Sequence, residues 1–414
     1  MDSEQSPSAP STATRSAGRA FAAFHIHNYP WLFTNVMAGS GARWLETLAQ
    51  GWLILELTNS PFWVGVAAGF RGLGAILFAL PSGAALDRFD RRKLLMLAQG
   101  INVLLGVIVG VLIVTGHEQL WHLLTASMFT GITQAIQVPA RHTITYDLVG
   151  PERLLNANAT NFLAFSIMRA AGPALGGIMV VAVGIAGAYF LMAALSLAAV
   201  LVLLPIPKPT SQPRPTEPML ASIREGLEYA KRAGPVRSML ILSLLAEVLG
   251  YSHAYMMPVI ARDVLGLEAD GLGYLMAAYG VGGLISNIMI ASRGGIKARG
   301  WLLLGSIGSY GVLLMVFAAS PWFLLSLVLQ CAVGAAGIGY DTTQSTLLQT
   351  NVPDAVRGRV MGLYTFTLGL TPIGGFQLGI AAGFIGAPLA VGIGGALLTL
   401  SVLRMLPLGK QLND

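Results

Sequence analysis

Gly83 to Lys93 reads GAALDRFDRRK, setting four cations (Arg88, Arg91, Arg92, Lys93) and two carboxylates (Asp87, Asp90) between two apolar segments, each long enough to cross a bilayer. A charged turn between two spans lies in water, and its excess of arginine and lysine puts it on the cytoplasmic side. The orientation of the whole chain follows from this loop.

Composition points the same way. With 54% hydrophobic residues, 11% charged residues and 50 glycines in 414, and a mean hydropathy of +0.68, the chain is too apolar for a soluble enzyme. A single cysteine, Cys331, excludes a disulfide framework, a zinc ribbon and an iron–sulfur cluster. The net charge of +6 does not imply a nucleic-acid partner, because the basic residues sit in short connections between apolar runs.

Residues 1–28 are rich in Ser, Pro, Ala and Thr and read as a disordered cytoplasmic tail. Beyond them, spans are expected near 30–57, 61–86, 93–116, 119–141, 154–180, 184–206, 236–262, 270–292, 300–318, 321–348, 358–382 and 385–406. Alternate connections are basic: the Gly83–Lys93 loop, Arg153, the link carrying Lys208, Arg214, Arg224, Lys231, Arg232 and Arg237, then Arg293, Lys297 and Arg299, then Arg357 and Arg359, and finally Arg404 and Lys410. On the opposite side only Arg262 is basic. Both termini are therefore expected in the cytoplasm, which requires an even number of spans.

The longest link, 207–235, is proline-rich and then reads SIREGLEYAKR, with Leu220, Ile223, Leu227 and Ala230 at the spacing of an amphipathic surface helix. It divides an all-α membrane protein of twelve helices into six-helix bundles at 29–206 and 236–406, with a short cytoplasmic tail at 407–414. The halves repeat at an offset of about 200 residues. Pro151-Glu152-Arg153 recurs as Pro353-Asp354 with Arg357, and Gly172-Pro173-Ala174-Leu175-Gly176 recurs as Gly375 to Gly379 after Pro372.

A charge at mid-bilayer costs roughly 2.5–3.5 kcal/mol on insertion scales, so each one needs a cavity or a partner. Arg43 and Glu46 lie three apart on one helix face and can offset each other, either as a functional pair lining a cavity or as a structural ion pair. Arg71 needs an acceptor from another helix, with Glu46, Glu247 and Asp341 as candidates, and Arg169 also lacks a local acid. Glu247 and Tyr251, four apart, are expected on one wall of a polar cavity or in ordinary packing. Asp341 and Gln344 share a face near the cytoplasmic end of the tenth span, at the interface or on the cavity. Gln99, Asn102, Gln134, Gln137, Asn161, Asn287 and Gln330 are read as joints between helices.

Catalytic patterns are absent. The sequence has no GxxxxGK[ST], GxSxG or GxGxxG. His117-Glu118 followed by His122 fails as a zinc motif because the second histidine, five residues on, faces a different side of a helix. No metal, cofactor or enzymatic activity is expected.

Taken with VPAR at 138–141, DLVGPERLLNANA at 147–159 and GPALGG at 172–177, the DRFDRR loop resembles the major facilitator superfamily, in the branch of enterobactin-exporter-like and macrolide-efflux-like proteins. The resemblance covers almost everything from residue 30. It implies that Gly83, Asp87, Arg88, Arg91 and Arg92 form a cytoplasmic gating loop, with Asp87 accepting hydrogen bonds at a helix N-terminus. Gly172, Pro173, Gly176 and Gly177 are implied as a pliant hinge. The implied protein is a monomeric secondary exporter of the inner (plasma) membrane, working by alternating access among membrane lipids. It would couple protons to efflux of a siderophore or an amphipathic drug-like molecule, with a broad multidrug pump or a metabolite importer as alternatives. Glu46 is the first candidate proton carrier, then Glu247 and Asp341. Two departures from the family pattern stand out: the fourth span, LLTASMFTGITQAIQVPAR, has no cation before Arg141, and SRGGIKARG at 292–300 lacks the aspartate of its twin loop.

Overall fold

Inside hydrocarbon a backbone N–H or C=O finds no water, so a chain this apolar must satisfy its hydrogen bonds within helices. The computed structural model describes residues 22–207, 219–292 and 299–412, and among them every regular element is helical. The helices are α1 (Tyr29–Thr58), α2 (Pro61–Arg88), α3 (Arg91–Val114), α4 (Leu120–Leu201) and the linker helix α5 (Met219–Arg232), followed by α6 (Gly234–Val264), α7 (Ala269–Ser292), α8 (Arg299–Ala318), α9 (Phe323–Asn351), α10 (Asp354–Leu368), α11 (Thr371–Ile385), α12 (Ala387–Arg404) and α13 (Leu406–Gln411).

Nine stretches among the described residues are long and apolar enough to cross a membrane. One of them is α4, whose 82 residues would extend about 120 Å if straight, some four times the hydrocarbon thickness. It is broken at Gly150 (φ 69°) and Gly184 (φ 77°), left-handed positions that a residue with a Cβ adopts only at a cost. Its pieces are 120–149, 151–183 and 185–201. The first helix, α1, falls outside the nine, consistent with its Arg43, Glu46 and Glu56.

Before the linker, α1, α2 and α3 pack on α4; after it, α8 packs between α9 and α12, and α7 packs on α9. The two halves meet along α2 with α11 and along α4 with α7. Glycines permit this approach: a Cβ on Gly65 would lie 2.5 Å from the Gly379 Cα, and one on Gly273 would lie 2.6 Å from the Pro173 carbonyl. These contacts fall in the half of each helix remote from the basic loops.

Several expectations change. The helical turn Ala22–His25 corrects the tail boundary: the Ala23 N–H donates to Asn156 Oδ1 at 2.9 Å, and Phe24 packs edge-on against Tyr29 and Phe33. The aromatic residues of this segment give it a surface to bury. Within α6 the helix widens at Ala246–Gly250 and tightens at Tyr251–Met256, so four-residue spacing does not place Glu247 and Tyr251 on one regular face. A break before Pro372 separates α10 from α11. The linker helix docks on α10, with Gly226 against Arg359 and Arg359 Nη1 2.6 Å from Glu225 Oε1. The proline-rich piece with Lys208 and Arg214, and the loop with Arg293 and Lys297, lie outside the described residues.

Candidate functional site

Two groups of buried charge occupy the middle of the helices. In the first, Arg71 of α2 reaches α1, its Nη2 standing 2.5 Å from Glu46 Oε1 and 2.9 Å from Gln50 Oε1, while Nη1 donates to Thr47 Oγ1 at 3.3 Å. Both charged side chains are shielded, at 6% and 3% exposure. The acceptor for Arg71 is thus Glu46, which also interacts with Arg43 at longer range. Arg43 turns instead to the Gln134 side-chain oxygen, at 2.8 and 3.2 Å with the amide oriented to accept. A helix residue three positions away shares a face, but a guanidinium from the neighbouring helix makes the shorter contact. Beside Arg71, a cavity of about 20 Å³ bounded by Gln50, Gly51, Tyr255 and Pro258 has room for one water.

Arg43 also packs against aromatic rings, 5.9 Å from the centroids of Trp44 and Phe165. Arg169 stands over the same Trp44 ring at 5.5 Å and over Tyr279, from the other half, at 4.8 Å. These are cation–π distances. Buried Nε of Arg169 makes no hydrogen bond.

The second group lies across from Arg169. The Tyr251 hydroxyl donates to the Gly337 carbonyl at 2.6 Å, which ties α6 to the antiparallel α9. One turn toward the basic end on each helix come Glu247 and Asp341, which interact with each other and with Arg169. Glu247 accepts from the Thr371 hydroxyl, and buried Asp341 Oδ1 has no hydrogen-bond partner. Tyr251 and Gln344 are buried joints: Gln344 Nε2 donates to the Met239 carbonyl at 2.7 Å. Other amides also act as joints, as in Gln99 to Gln137 at 3.1 Å and Thr133 to Asn102 at 2.9 Å.

At the signature loop, Asp87 and Arg88 end α2 exposed. Asp90 caps α3, its Oδ1 accepting from the Arg92 and Lys93 N–H groups at 2.9 and 3.3 Å. Asp87 belongs to the last turn of α2, where backbone carbonyls rather than N–H groups are left over. Arg91 pairs with Asp147 at 2.8 Å, and Arg92 donates to the Leu204 carbonyl at 2.7 Å. A Cβ on Gly83 would meet nothing within 4 Å.

Tight packing marks the GPALGG motif. Gly172 faces Trp44, Gly176 faces Leu45, and a Cβ on Gly177 would stand 2.5 Å from the Ala269 carbonyl of the other half. At the same end Arg262 Nη1 donates to the Leu55 carbonyl of α1 at 2.9 Å.

Sequence reasoning overlooked Trp44, Gln50, Asp147, Tyr279 and Thr371. Gln50 was within reach, four residues from Glu46 on the same face. Tyr279 and Thr371 come from distant segments and carried no such signal.

Paired helical halves in close contact at one end, with charge buried at their centre, define a membrane transporter. The chain matches the transmembrane secretion effector family of the major facilitator superfamily over residues 18–411, and it belongs to that family. It is 28% identical over 335 residues to the enterobactin exporter EntS of Shigella flexneri, covering 78% of this chain and 79% of the relative. Identity to EntS of Escherichia coli O9:H4 (strain HS) is also 28%, over 337 residues and the same shares. Solved structures with this fold include a D-xylose–proton symporter (TM-score 0.70, 12% identity, 93% of this chain and 97% of that one) and an inward-facing, occupied bacterial homologue of the human lysosomal transporter Spinster (0.68, 14%, 97% of each). These relatives and neighbours are transporters, and the chain is a multi-pass membrane transporter rather than an enzyme.

Proposed function

We propose that this protein is a secondary active exporter of the inner membrane, with twelve spans and both termini in the cytoplasm. The count takes α4 as three spans, adds α1, and joins α10 to α11. Its substrate is a siderophore or an amphipathic drug-like molecule, and the EntS relatives are enterobactin exporters by name. The observation that carries the reading is the close cross-half packing remote from the basic loops, at Gly65–Gly379 and Gly273–Pro173 and through Arg262. Closure at that end fits an inward-facing member of an alternating pair of states. In the other state the basic loops close, and Gly83, Asp87, Arg88 and the Arg91–Asp147 pair form the latch while Gly172, Pro173, Gly176 and Gly177 let the fifth span shift.

Protons supply the energy. One proton moving inward down 100 mV yields roughly 2.3 kcal/mol, enough for about a 40-fold substrate gradient. Glu46 is committed to Arg71, which favours Glu247 and Asp341 as the carrier in this reading. Their neighbour Arg169 comes from the opposite half and can leave them when the halves move.

A cross-link tests the alternation. A Cβ on Gly383 would lie 3.4 Å from the Phe62 Cβ, close to the roughly 3.5–4.5 Å of disulfides. Phe62→Cys with Gly383→Cys, in a Cys331→Ser background, should oxidise readily, stop transport, and recover on reduction. Full transport by the cross-linked protein would contradict the reading.

A further inference from the structure

Unlike Arg71, Arg43 and Arg169 have no carboxylate at ion-pair distance among the described residues. Both are partly exposed and lie near the midpoints of their helical segments. Trp44 is shared between them, and Phe165 and Tyr279 complete the aromatic walls. Arg169 keeps a buried, unused N–H. Two guanidinium groups this deep, met by carboxylates only at longer range, are costly without a closer anion, and a lipid headgroup does not reach the middle of the helices. We propose that Arg43, Trp44 and Arg169 form a binding site for a planar aromatic anion, gripped between guanidinium forks and stacked on the indole. Guanidinium suits this task because its planar fork pairs with a carboxylate while its face stacks on a ring.

The site spans both halves, since Tyr279 comes from α7 and Trp44 from α1. A ligand seated there would compete with Glu247 and Asp341 for Arg169, because both carboxylates interact with it. The assignment names the substrate class of the proposed exporter and rests on that reading for its physiological meaning, but the binding itself can be measured without transport.

The test uses the full-length protein in detergent, titrated calorimetrically with 1-naphthoate, its neutral amide 1-naphthamide, the cationic 1-naphthylmethylamine, and hexanoate, which has the charge without the ring. The site predicts naphthoate binding at least 10-fold tighter than naphthamide and hexanoate, with the amine weakest. Arg43→Gln and Arg169→Gln should each weaken naphthoate about 10-fold, equivalent to about 1.4 kcal/mol, and leave naphthamide unchanged, whereas Trp44→Leu should weaken both. Equal binding of naphthoate and naphthamide by the unaltered protein, or a preference for the amine, would overturn the proposal without reference to any variant. Failure of uphill flux with naphthoate selectivity intact would remove the export reading and leave the site standing.

Discussion

Glu46→Gln leaves Arg71 buried beside a neutral amide. Removing one member of a buried ion pair costs about 3–5 kcal/mol, because the remaining charge has no counter-charge and little water. Arg71 still has Gln50 Oε1 at 2.9 Å and Thr47 Oγ1 at 3.3 Å, and a glutamine oxygen can accept where the carboxylate did. The lower end of the range applies, about 3 kcal/mol or roughly a hundredfold in the folded population. Arg71→Gln is expected to cost at least as much, since Glu46 would keep only a distant Thr130 hydroxyl at 3.5 Å. The double variant removes both charges, so its cost should fall below the sum of the single costs by about 2 kcal/mol, within the range seen for contacting residues. Unfolding in detergent micelles, followed by tryptophan fluorescence, measures the cycle. Single costs below about 0.5 kcal/mol, or additivity within about that margin, would refute the description of the pair.

Gly65→Val places a branched side chain where even a Cβ comes within 2.5 Å of the Gly379 Cα; the variant should reach the membrane but lose most transport, and it should no longer form the Phe62→Cys/Gly383→Cys cross-link. Arg262→Ala removes a charge-assisted bond to the Leu55 carbonyl worth about 1.5–3 kcal/mol, so labelling of a cysteine introduced at Thr47 from the non-cytoplasmic side should rise about 10-fold or more. Asp87→Asn and Asp147→Asn should each slow transport while leaving expression intact, as measured by flux per molecule of protein; normal flux in both would remove the proposed latch.

Hydropathy and arginine placement made the helical segments legible because lipid imposes a strong and local rule on each stretch of chain. The same rule singled out Arg262 as an exception on its side, and the structure gives that residue a cross-half contact as its reason. Pairings were less legible. Helix periodicity offered Arg43 to Glu46, yet α2 delivers Arg71 to that carboxylate from 25 positions away. Nothing in the local sequence of α6 marks the widened turn that carries Glu247, yet Glu247 and Tyr251 both come to face Asp341. Around Gly83 the motif was clear, but nothing in it marked Asp90 as the residue that caps the next helix. Trp44 could have been noticed beside Arg43, but its second cation, Arg169, is positioned only by the packing of α4 on α1.

The central claim is that this transporter exports its substrate by exchange with protons. Purified protein reconstituted into liposomes, with enterobactin present at equal concentration on both sides, should accumulate it against its gradient on one side when a pH gradient is imposed. The accumulation should collapse when an ionophore dissipates that gradient, and it should be absent in Glu247→Gln with Asp341→Asn. Substrate movement that only equalises concentrations, or uphill movement indifferent to the pH gradient, would contradict the account.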